Sequence, residues 1–345
     1  MAQIVHDNFT DSLISEIRAL DNGGRSTFFD SWVIDYKIGG GNFGSVYRAS
    51  CGRERSAIKI VPVDLHGSGD FAKEVKILQR LRSPNIVDIK DCDVISSGDL
   101  SKSYMLIRME MLHSIDAKNM AQEKIFRLAF DICAALSTCH STRPPILHRD
   151  IKPDNILVSD SGVYKLGDFG AAWMFDGNRE RKTYATPLYM PPEVAAHKGS
   201  DIRSDIYSFG LTLYTLFNHG KVPFCENGDT NAAIKRRLSG EILPDIPGVS
   251  SAVMAVLRRA CAIDPNMRYA NASEMSAALY AAVSGGKKSA SVSNVSAPVR
   301  VAPEQNVQQF NVGKALLVAF ILFALIFAAA YFSLDYFDFL KYLPF

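Results

Sequence analysis

Paired cysteines and metal-ligand clusters are both missing from this sequence. Its six cysteines are scattered along 345 residues without a C-x-x-C pair, a pattern that excludes zinc ribbons and gives no disulfide framework. We expect them to be reduced packing residues in a reducing compartment. The seven histidines form no group with metal-ligand spacing. The sequence therefore does not belong to the small disulfide-rich or zinc-stabilised classes.

An excess of one charge is missing as well. The chain has 38 Lys and Arg against 36 Asp and Glu, a formal net charge of +2. Such a balance gives no broad basic surface, so we expect no nucleic-acid partner. With 345 residues the chain is long enough for a two-lobed domain and further segments.

The N-terminal extension, residues 1–27, also has no continuous apolar core, and acids at positions 7, 11, 16 and 21 interrupt it. It is therefore not a secretory signal peptide. Apolar residues at helical spacing predict a short amphipathic helix ended by Asn22-Gly23-Gly24, which we expect to pack on the following small lobe. Those apolar residues are Ile4, Phe9, Leu13, Ile14, Ile17 and Leu20.

One long apolar run stands near the C-terminus. Residues 315–334 contain no charge, and at 1.5 Å per residue such a helix spans about 30 Å, the thickness of a bilayer core. A buried core helix is the alternative, but the preceding domain is complete near residue 283. We predict a single transmembrane helix at 312–334, with the lipid bilayer as a partner. Ala315 and Ala319 are spaced for close helix packing, a weak pattern that allows self-association at the membrane.

The charges around this run predict its orientation. Lys287, Lys288, Arg300 and Lys314 precede it, whereas the tail, residues 335–345, carries two Asp and one Lys. Positive charge stays on the cytoplasmic side, so we expect a single-pass C-terminal anchor with a cytoplasmic main domain and a short non-cytoplasmic tail. Residues 284–311, rich in Ser, Ala, Val and Pro, predict a flexible juxtamembrane linker.

The most informative motif is HRDIKPDN at 148–155, followed by DFG at 168–170. It places a carboxylate (Asp150), an ammonium (Lys152) and a carboxamide (Asn155) in one loop, with a second carboxylate (Asp168) shortly after. These groups supply a base, a phosphate contact and two magnesium ligands, which is most of what phosphoryl transfer requires. A polar loop without chemistry is the alternative, and the length of the match disfavours it.

Two further motifs precede this loop. Gly39, Gly41 and Gly44 fit G-x-G-x-x-G between two predicted strands, where glycine allows backbone N–H groups to approach phosphate. Lys59 follows on a third predicted strand among apolar residues and needs an anionic partner. We expect that partner to be Glu74, which lies on a predicted helix over residues 70–81.

These motifs together resemble the eukaryotic-type serine/threonine protein kinase family, over roughly residues 28–283. The resemblance implies an α+β, two-lobed fold, with a small β-rich lobe at about 28–110 and a larger helical lobe at about 111–283. It implies ATP with Mg²⁺, or Mn²⁺ as an alternative, bound by Asn155 and Asp168 as metal ligands. The catalytic residues it implies are Asp150, Lys152, Lys59, Glu74 and Thr186. The implied ATP contacts are Gly39, Gly41, Gly44, Val46, Ala57, Lys59, the hinge residues Glu110 and Leu112 after the gatekeeper Met109, and Leu157.

The resemblance also carries specificity and regulation. Lys152 and Thr186 are the serine/threonine-type residues of the family, with tyrosine or dual specificity as the alternative, and the substrates would be proteins. Asp205 would brace the catalytic loop, and Glu193 would pair with Arg268. Arg149 before the catalytic Asp is typical of kinases whose activation loop is phosphorylated. That loop offers Thr183 and Tyr184, and autophosphorylation at Thr183 is the hypothesis. A solvated basic loop that needs no phosphate is the alternative.

The sequence thus predicts a membrane-anchored serine/threonine protein kinase that looks like bacterial members of the family. Two other functions stay open. A pseudokinase that acts as a membrane scaffold is disfavoured because no motif residue is lost. A small-molecule kinase with the same fold is disfavoured by the segment at Tyr189 to Glu193, which shapes a peptide platform in protein kinases.

Overall fold

The computed structural model describes residues 32–41, 44–62, 73–96, 103–175, 186–225 and 228–285, together with Ser15. The chain divides into two units, Met1–Lys287 and Lys288–Phe345, and all described residues belong to the first. No helix in these ranges is long and apolar enough to cross a membrane. The expected linker beyond 285, membrane span and tail lie outside the described residues, as does the N-terminal extension apart from Ser15.

The first lobe is an antiparallel five-stranded sheet with strand order β1-β2-β3-β5-β4. The strands are β1 (Val33–Gly41), β2 (Gly44–Cys51), β3 (Glu54–Pro62), β4 (Ile89–Ser96) and β5 (Ser103–Glu110). One helix, α1 (Lys73–Arg80), lies between β3 and β4. In β3 all residues from Ser56 to Ile60 are buried, which is expected of a central strand covered on both faces.

The two faces of this sheet belong to different apolar clusters. The inner face, with Ala57, Met105 and Ile107, joins the main core of the protein. The outer face, with Tyr47, Ile58 and Leu106 at its centre, forms a separate cluster. Because neighbouring residues of a strand point to opposite faces, Ile58 and Lys59 lie on opposite sides of β3.

The second lobe is helical, with short strands at its upper edge. Its elements are β6 (His113–Ser114), α2 (Gln122–His140), β7 (Ile146–Leu147), β8 (Ile156–Val158), β9 (Tyr164–Leu166), β10 (Trp173–Met174), α3 (Pro192–Ala195), α4 (Ile202–Phe217), α5 (Thr230–Leu238), α6 (Ser251–Ala260) and α7 (Ala272–Val283).

Helix α4 is the centre of this lobe, and all its residues from Ser204 to Phe217 are buried. Asp201 and Ser204 cap its N-terminus reciprocally as a capping box. At Gly210 a Cβ would lie 2.6 Å from the Cβ of Ala260, so only glycine allows α6 to approach this closely. The described elements therefore form the two lobes that the sequence predicts.

A hydrogen-bonded seam joins the lobes beside β9. The Leu166 N–H donates to the Asn85 carbonyl at 2.8 Å, and the Val87 N–H donates to the Leu166 carbonyl at 3.0 Å. The Asn85 side chain also donates to the Tyr164 carbonyl at 3.1 Å. This seam fixes the segment before β4 against the second lobe and sets the height of the cleft between them.

Candidate active site

The catalytic loop is held from below by a buried carboxylate. Asp205 of α4 is fully buried and accepts hydrogen bonds from the backbone N–H groups of His148 and Arg149, each at 2.8 Å. His140 of α2 lies 3.0 Å from the same carboxylate. Burial raises the pKa of Asp205, but these hydrogen bonds and the nearby histidines outweigh it and leave the pKa below the ordinary value. The predicted brace by Asp205 is confirmed, whereas His140 was not anticipated.

The loop brings Asp150, Lys152 and Thr186 into one network. Lys152 Nζ lies 2.8 Å from Asp150 Oδ2 and 2.8 Å from Thr186 Oγ1. The Thr186 hydroxyl donates to Asp150 Oδ1 at 2.6 Å, and the Thr186 N–H donates to the same oxygen at 3.2 Å. Asn155 Nδ2 completes the set by donating to Asp150 Oδ2 at 3.0 Å. The carboxylate is therefore fixed by donors on both oxygens.

These donors keep Asp150 ionised although it is buried. Burial raises the pKa of Asp150, but the hydrogen bonds from Lys152 and Thr186 and the charge of Lys152 lower it further, so that the net shift is downward. A carboxylate in this state can accept a hydrogen bond or a proton from a hydroxyl group at neutral pH. The arrangement therefore fits a group that orients and deprotonates an alcohol.

Asn155 and Asp168 offer oxygen ligands that fit Mg²⁺. Asn155 uses its Nδ2 group on the Asp150 carboxylate and on the Asp150 carbonyl, so its Oδ1 atom is the part left for a metal. Asp168 adopts a left-handed backbone conformation with φ 53°, and its carboxylate is one third exposed. Carboxylate and carboxamide oxygens are the hard ligands that Mg²⁺ prefers.

The residue after Asp168 fixes this segment to the core. Phe169 is fully buried, and its ring meets the His148 ring edge-on with 4.7 Å between centroids. His148 Nε2 is 2.9 Å from the Gly167 carbonyl oxygen. His148 and Phe169 thus hold the segment around Asp168 against the core.

Lys59 reaches across the cleft to Asp168. Its Nζ atom lies 2.8 Å from Asp168 Oδ1, and the lysine is almost fully buried on β3. Glu74, its expected partner, belongs to α1, but its side chain lies outside the described part of the structure. The pairing of Lys59 with Glu74 therefore stays a prediction.

Of the glycines predicted to cover phosphate, Gly44 has the clearest geometric requirement. Its φ is +121°, and a Cβ would lie 2.5 Å from the Ile60 carbonyl oxygen. Gly39 and Gly41 lie in β1, and Gly41 pairs with Gly44 across the hairpin. The tip of the hairpin lies outside the described residues. The structure thus shows why glycine is needed where β2 approaches β3 so closely.

The predicted adenine contacts lie around the hinge. Val46 pairs with Lys59 in the sheet, and Ala57 pairs with the predicted gatekeeper Met109. Val46 and Leu157 are half-buried and pack against the main core, to which Leu112 belongs. These apolar residues come from β2, β3, the hinge and β8, so their elements bound the cleft from both lobes.

Glu110 ends β5 and is held at the hinge by its own contacts. Its backbone N–H donates to the Asp88 carbonyl at 3.1 Å. Its carboxylate accepts from the Asp88 N–H and from Lys165 Nζ, both at 2.8 Å. The carbonyl of Glu110 is therefore the backbone group left for a ligand at this position, and the hinge is tied to β9.

Two buried arginines organise the segment after Thr186. Arg268 forms the predicted pair with Glu193, with two hydrogen bonds at 2.8 and 2.7 Å. Arg237 of α5 was not anticipated. It is buried and donates to the Met190 carbonyl at 2.7 Å, to the Pro187 carbonyl at 3.1 Å and to the Tyr207 hydroxyl at 2.7 Å.

Arg237 thereby fixes the turn that follows Thr186. The sequence gives one weak indication that Arg237 is buried. It lies four residues after Ala233, the other buried residue of α5, and residues four apart share one face of a helix. Its position in the basic run Lys235 to Arg237 instead predicts a solvated surface. Arg237 is buried rather than solvated because the Tyr207 hydroxyl and the carbonyls of Pro187 and Met190 accept its hydrogen bonds. These acceptors come from other parts of the chain.

The proposed phosphorylation positions Thr183 and Tyr184 lie outside the described residues. Arg149, the residue expected to meet a phosphate, has φ 67° and its Nε donates to the Ala171 carbonyl at 2.7 Å. Its guanidinium also lies 5.8 Å from the centroid of the Trp173 ring. Arg149 is thus directed toward the start of the activation segment.

Comparison with known proteins agrees with this geometry. Residues 32–280 match the family described as protein kinase domain. The probable serine/threonine-protein kinase PknB of Lactococcus lactis is 30% identical over 269 residues, which cover 72% of this chain and 41% of that protein. The corresponding protein of Bifidobacterium longum is 32% identical over 253 residues, 67% of this chain and 36% of that protein.

A plant protein gives a similar match. The serine/threonine-protein kinase CTR1 of Arabidopsis thaliana is 34% identical over 193 residues, 53% of this chain and 23% of that protein. The chain thus spans less than half the length of these relatives. The family match covers well over half of the chain and includes every described residue of the candidate site. This chain belongs to the protein kinase domain family.

Proposed function

We propose that the protein is a serine/threonine protein kinase that transfers the γ-phosphoryl group of ATP to hydroxyl groups of protein substrates. The observation that carries the proposal is the network of Asp150, Lys152 and Thr186, in which a buried carboxylate is kept ionised by two donors. Lys59 adds a cation from the small lobe, and Asn155 and Asp168 add oxygen ligands from the second lobe, beside Asp150.

Each residue has a role in this reaction. Bound Mg²⁺ and ATP supply the phosphoryl group and neutralise its charge. Asp150 would orient the substrate hydroxyl and take its proton, while Lys152 would contact the γ-phosphoryl group and offset its negative charge. Lys59 holds phosphate oxygens from the small lobe, and Asn155 and Asp168 hold the metal. Positioning and electrostatics therefore account for most of the rate enhancement.

Serine/threonine specificity is supported by Lys152 and Thr186 and by the names of the relatives. In the described structure both side chains contact Asp150 directly. We assign protein substrates because the segment from Pro187 to Met190 is fixed in a defined conformation by Arg237.

Membrane attachment is the second part of the proposal. The uncharged residues 315–334 would cross the bilayer once, and the basic residues before them would keep the kinase domain in the cytoplasm. The linker of about 27 residues gives a root-mean-square reach of roughly 25–30 Å. Carbonate extraction of the full chain tests this part, because a peripheral protein would be released and a spanning protein would stay with the lipid.

Autophosphorylation of the activation segment is the third part. A phosphate on Thr183 or Tyr184 would give Arg149 a charged partner, because an Arg–phosphate pair is bidentate and stronger than the carbonyl contact that Arg149 makes here. Mass spectrometry of the active full-length protein tests it. An active protein without phosphate on that segment would refute this part alone.

The decisive experiment is γ-phosphate transfer from ATP by the full chain in detergent micelles, with Mg²⁺, to itself and to a generic basic protein. Asp150→Ala and Lys59→Met should abolish transfer to Ser and Thr. Matched controls are Asp160→Ala and Lys90→Met, because both residues are exposed and make only single surface ion pairs. They should retain full activity.

Two other results would identify the alternatives. ATP binding without transfer, in the native chain as in Asp150→Ala, would favour the pseudokinase scaffold. Transfer to members of a metabolite panel, with none to a peptide array, would favour a small-molecule kinase.

A further inference from the structure

The side chains at the centre of the outer face of the five-stranded sheet are less exposed than they would be if nothing packed on that face. Tyr47, Ile58 and Leu106 come from the three adjacent strands β2, β3 and β5, and each has 0% of its surface exposed. Tyr47 pairs directly with Ile58, and Leu106 pairs with Ile60 in the same cluster. These apolar side chains stand beside one another on one face.

Among the described residues no helix belongs to this face, and Trp32 with the Arg108 side chain beside it gives only part of its cover. The outer-face cluster consists of strand residues and Trp32, and no described helix contributes a member to it. The apolar face of a sheet has to be covered by another element to be removed from water. Side chains of one face cannot enclose one another fully, because they stand side by side and leave their ends open.

We propose that residues 1–31 of the same chain cover the outer face. The first observation is continuity. Trp32, the residue that follows this segment, is itself a buried member of the cluster, and the Arg108 guanidinium of β5 lies 4.7 Å from its ring centroid. The chain therefore enters the domain from above this face, and the 31 preceding residues start next to it.

The second observation is the pattern of the segment. Phe9, Leu13, Ile17 and Leu20 recur at spacings of four, four and three, which places them on one side of a helix. Ser15 lies opposite this stripe on such a helix, and the structure describes Ser15 as helical and exposed. A helix that covers the sheet needs an apolar side that packs on the sheet and a polar side that faces solvent. The sequence pattern and the exposed Ser15 agree with both requirements.

The dimensions of segment and face agree. A helix over residues 9–20 is about 18 Å long at 1.5 Å per residue. Five strands spaced about 4.8 Å apart have a width of about 19 Å. Residues 21–31 can extend to roughly 36 Å, which is enough to return from the far edge of the sheet to Trp32.

Two other occupants are less consistent with the sequence. The apolar residues 315–334 carry no polar side to face water once the sheet is covered, whereas residues 9–20 carry one. A second copy of the chain would leave the stripe of Phe9, Leu13, Ile17 and Leu20 without a surface to bury it.

Thiol labelling of the full chain in detergent micelles tests the proposal. Cys51 is half-buried and packs against the outer-face cluster, and exposed Cys92 gives an internal reference. The double variant Leu13→Asp/Ile17→Asp should raise the labelling of Cys51 relative to Cys92 by about tenfold or more, because the face loses its cover. The matched variant Ser15→Asp should leave the ratio unchanged. An unchanged ratio in the double variant would overturn the proposal, as would a ratio that depends on protein concentration.

A second measurement keeps the native fold intact. A benzophenone amino acid in place of Leu13 should crosslink, on irradiation, within one chain to peptides that contain Tyr47, Ile58 or Leu106. Crosslinks between chains, crosslinks to residues 315–334, or no crosslink to these strands would overturn the proposal. Mass spectrometry of the monomer band distinguishes these results.

Discussion

Replacing Thr186 by valine removes one hydroxyl from the centre of the site and keeps the shape of the side chain. The hydroxyl donates to Asp150 Oδ1 at 2.6 Å and accepts from Lys152 Nζ at 2.8 Å. The direct contact between Lys152 and Asp150 at 2.8 Å stays, and so does the hydrogen bond from the Thr186 N–H. The change therefore loosens the network without dismantling it.

The magnitude follows from these contacts. Both lost hydrogen bonds involve a charged partner, and such bonds contribute roughly 1.5–3 kcal/mol each. Because Asp150 keeps its other donors, we expect the loss to be smaller than the sum of the two, about 2–3 kcal/mol. At about 1.4 kcal/mol per factor of ten, kcat/KM for the protein substrate should fall by roughly 30–150-fold.

The pH profile should change in a defined direction. The hydroxyl of Thr186 is one of the groups that lower the pKa of Asp150 against the effect of burial. Without it the pKa rises, so the carboxylate protonates at higher pH and the acid side of the kcat/KM profile moves upward. Thr186→Ser keeps the hydroxyl and should retain both the native profile and most of the activity.

Steady-state kinetics with varied ATP and varied protein substrate provide the assay. The expected loss lies in kcat with the KM for ATP unchanged, because the described side-chain contacts of Thr186 are with Asp150 and Lys152, which act at the transferred phosphoryl group rather than at the adenine. A valine variant within threefold of native activity would refute the reasoning. So would a loss that lies entirely in the KM for ATP.

Three further substitutions test other parts of the structure. Asp205→Asn should lower the free energy of unfolding by about 3–5 kcal/mol, measured in urea, since buried N–H groups lose their charged acceptor. Arg237→Met should cost about 3 kcal/mol through three lost hydrogen bonds and raise the KM for protein substrate more than that for ATP. Gly44→Ala should cost at least about 2 kcal/mol by thermal unfolding, because the new Cβ meets a carbonyl at a strained φ.

Each of these has a matched control. Asp160→Asn changes an exposed carboxylate and should leave stability unchanged. Lys235→Met changes an exposed lysine of the same helix and should cost under about 1 kcal/mol. Gly52→Ala places a Cβ in open space at φ +57° and should cost about 1–2 kcal/mol for the left-handed conformation alone. A control that is as damaging as its partner would contradict the geometric explanation at that position.

The sequence predicts the parts of the site that are local. Asp150, Lys152 and Asn155 lie in one loop of eight residues, so a single motif gives both their identity and their spacing. The two-lobed fold was predictable because these local motifs together resemble the protein kinase family, and that resemblance implies the fold. Roles assigned from the motifs, including the pairing of Lys59 with Glu74, stay predictions.

The parts that could not be predicted depend on distant contacts. The burial of Arg237 requires the Tyr207 hydroxyl and the carbonyls of the turn after Thr186, and a basic run in a helix gives no sign of them. Lys165 reaches Glu110 across 55 positions of sequence. Burial of the outer face could be predicted in part from the sequence. The apolar residues of β3 do not alternate with polar ones, as they would in a strand with one exposed face.

The seam beside β9 determines how the cleft can open. Lifting the small lobe off the seam would break the three hydrogen bonds of the seam, at roughly 0.5–1.5 kcal/mol each, whereas rotation about the seam breaks none of these three. Strand β4 follows directly from the seam, and β1 is the strand farthest from it in the sheet. With strands about 4.8 Å apart, a rotation of about 5° moves β5 by less than about 0.5 Å but moves β1 by about 1.7 Å. Displacement therefore grows with distance from the seam. The same rotation moves the glycine hairpin of β1 and β2 while the hinge strand β5 stays almost in place.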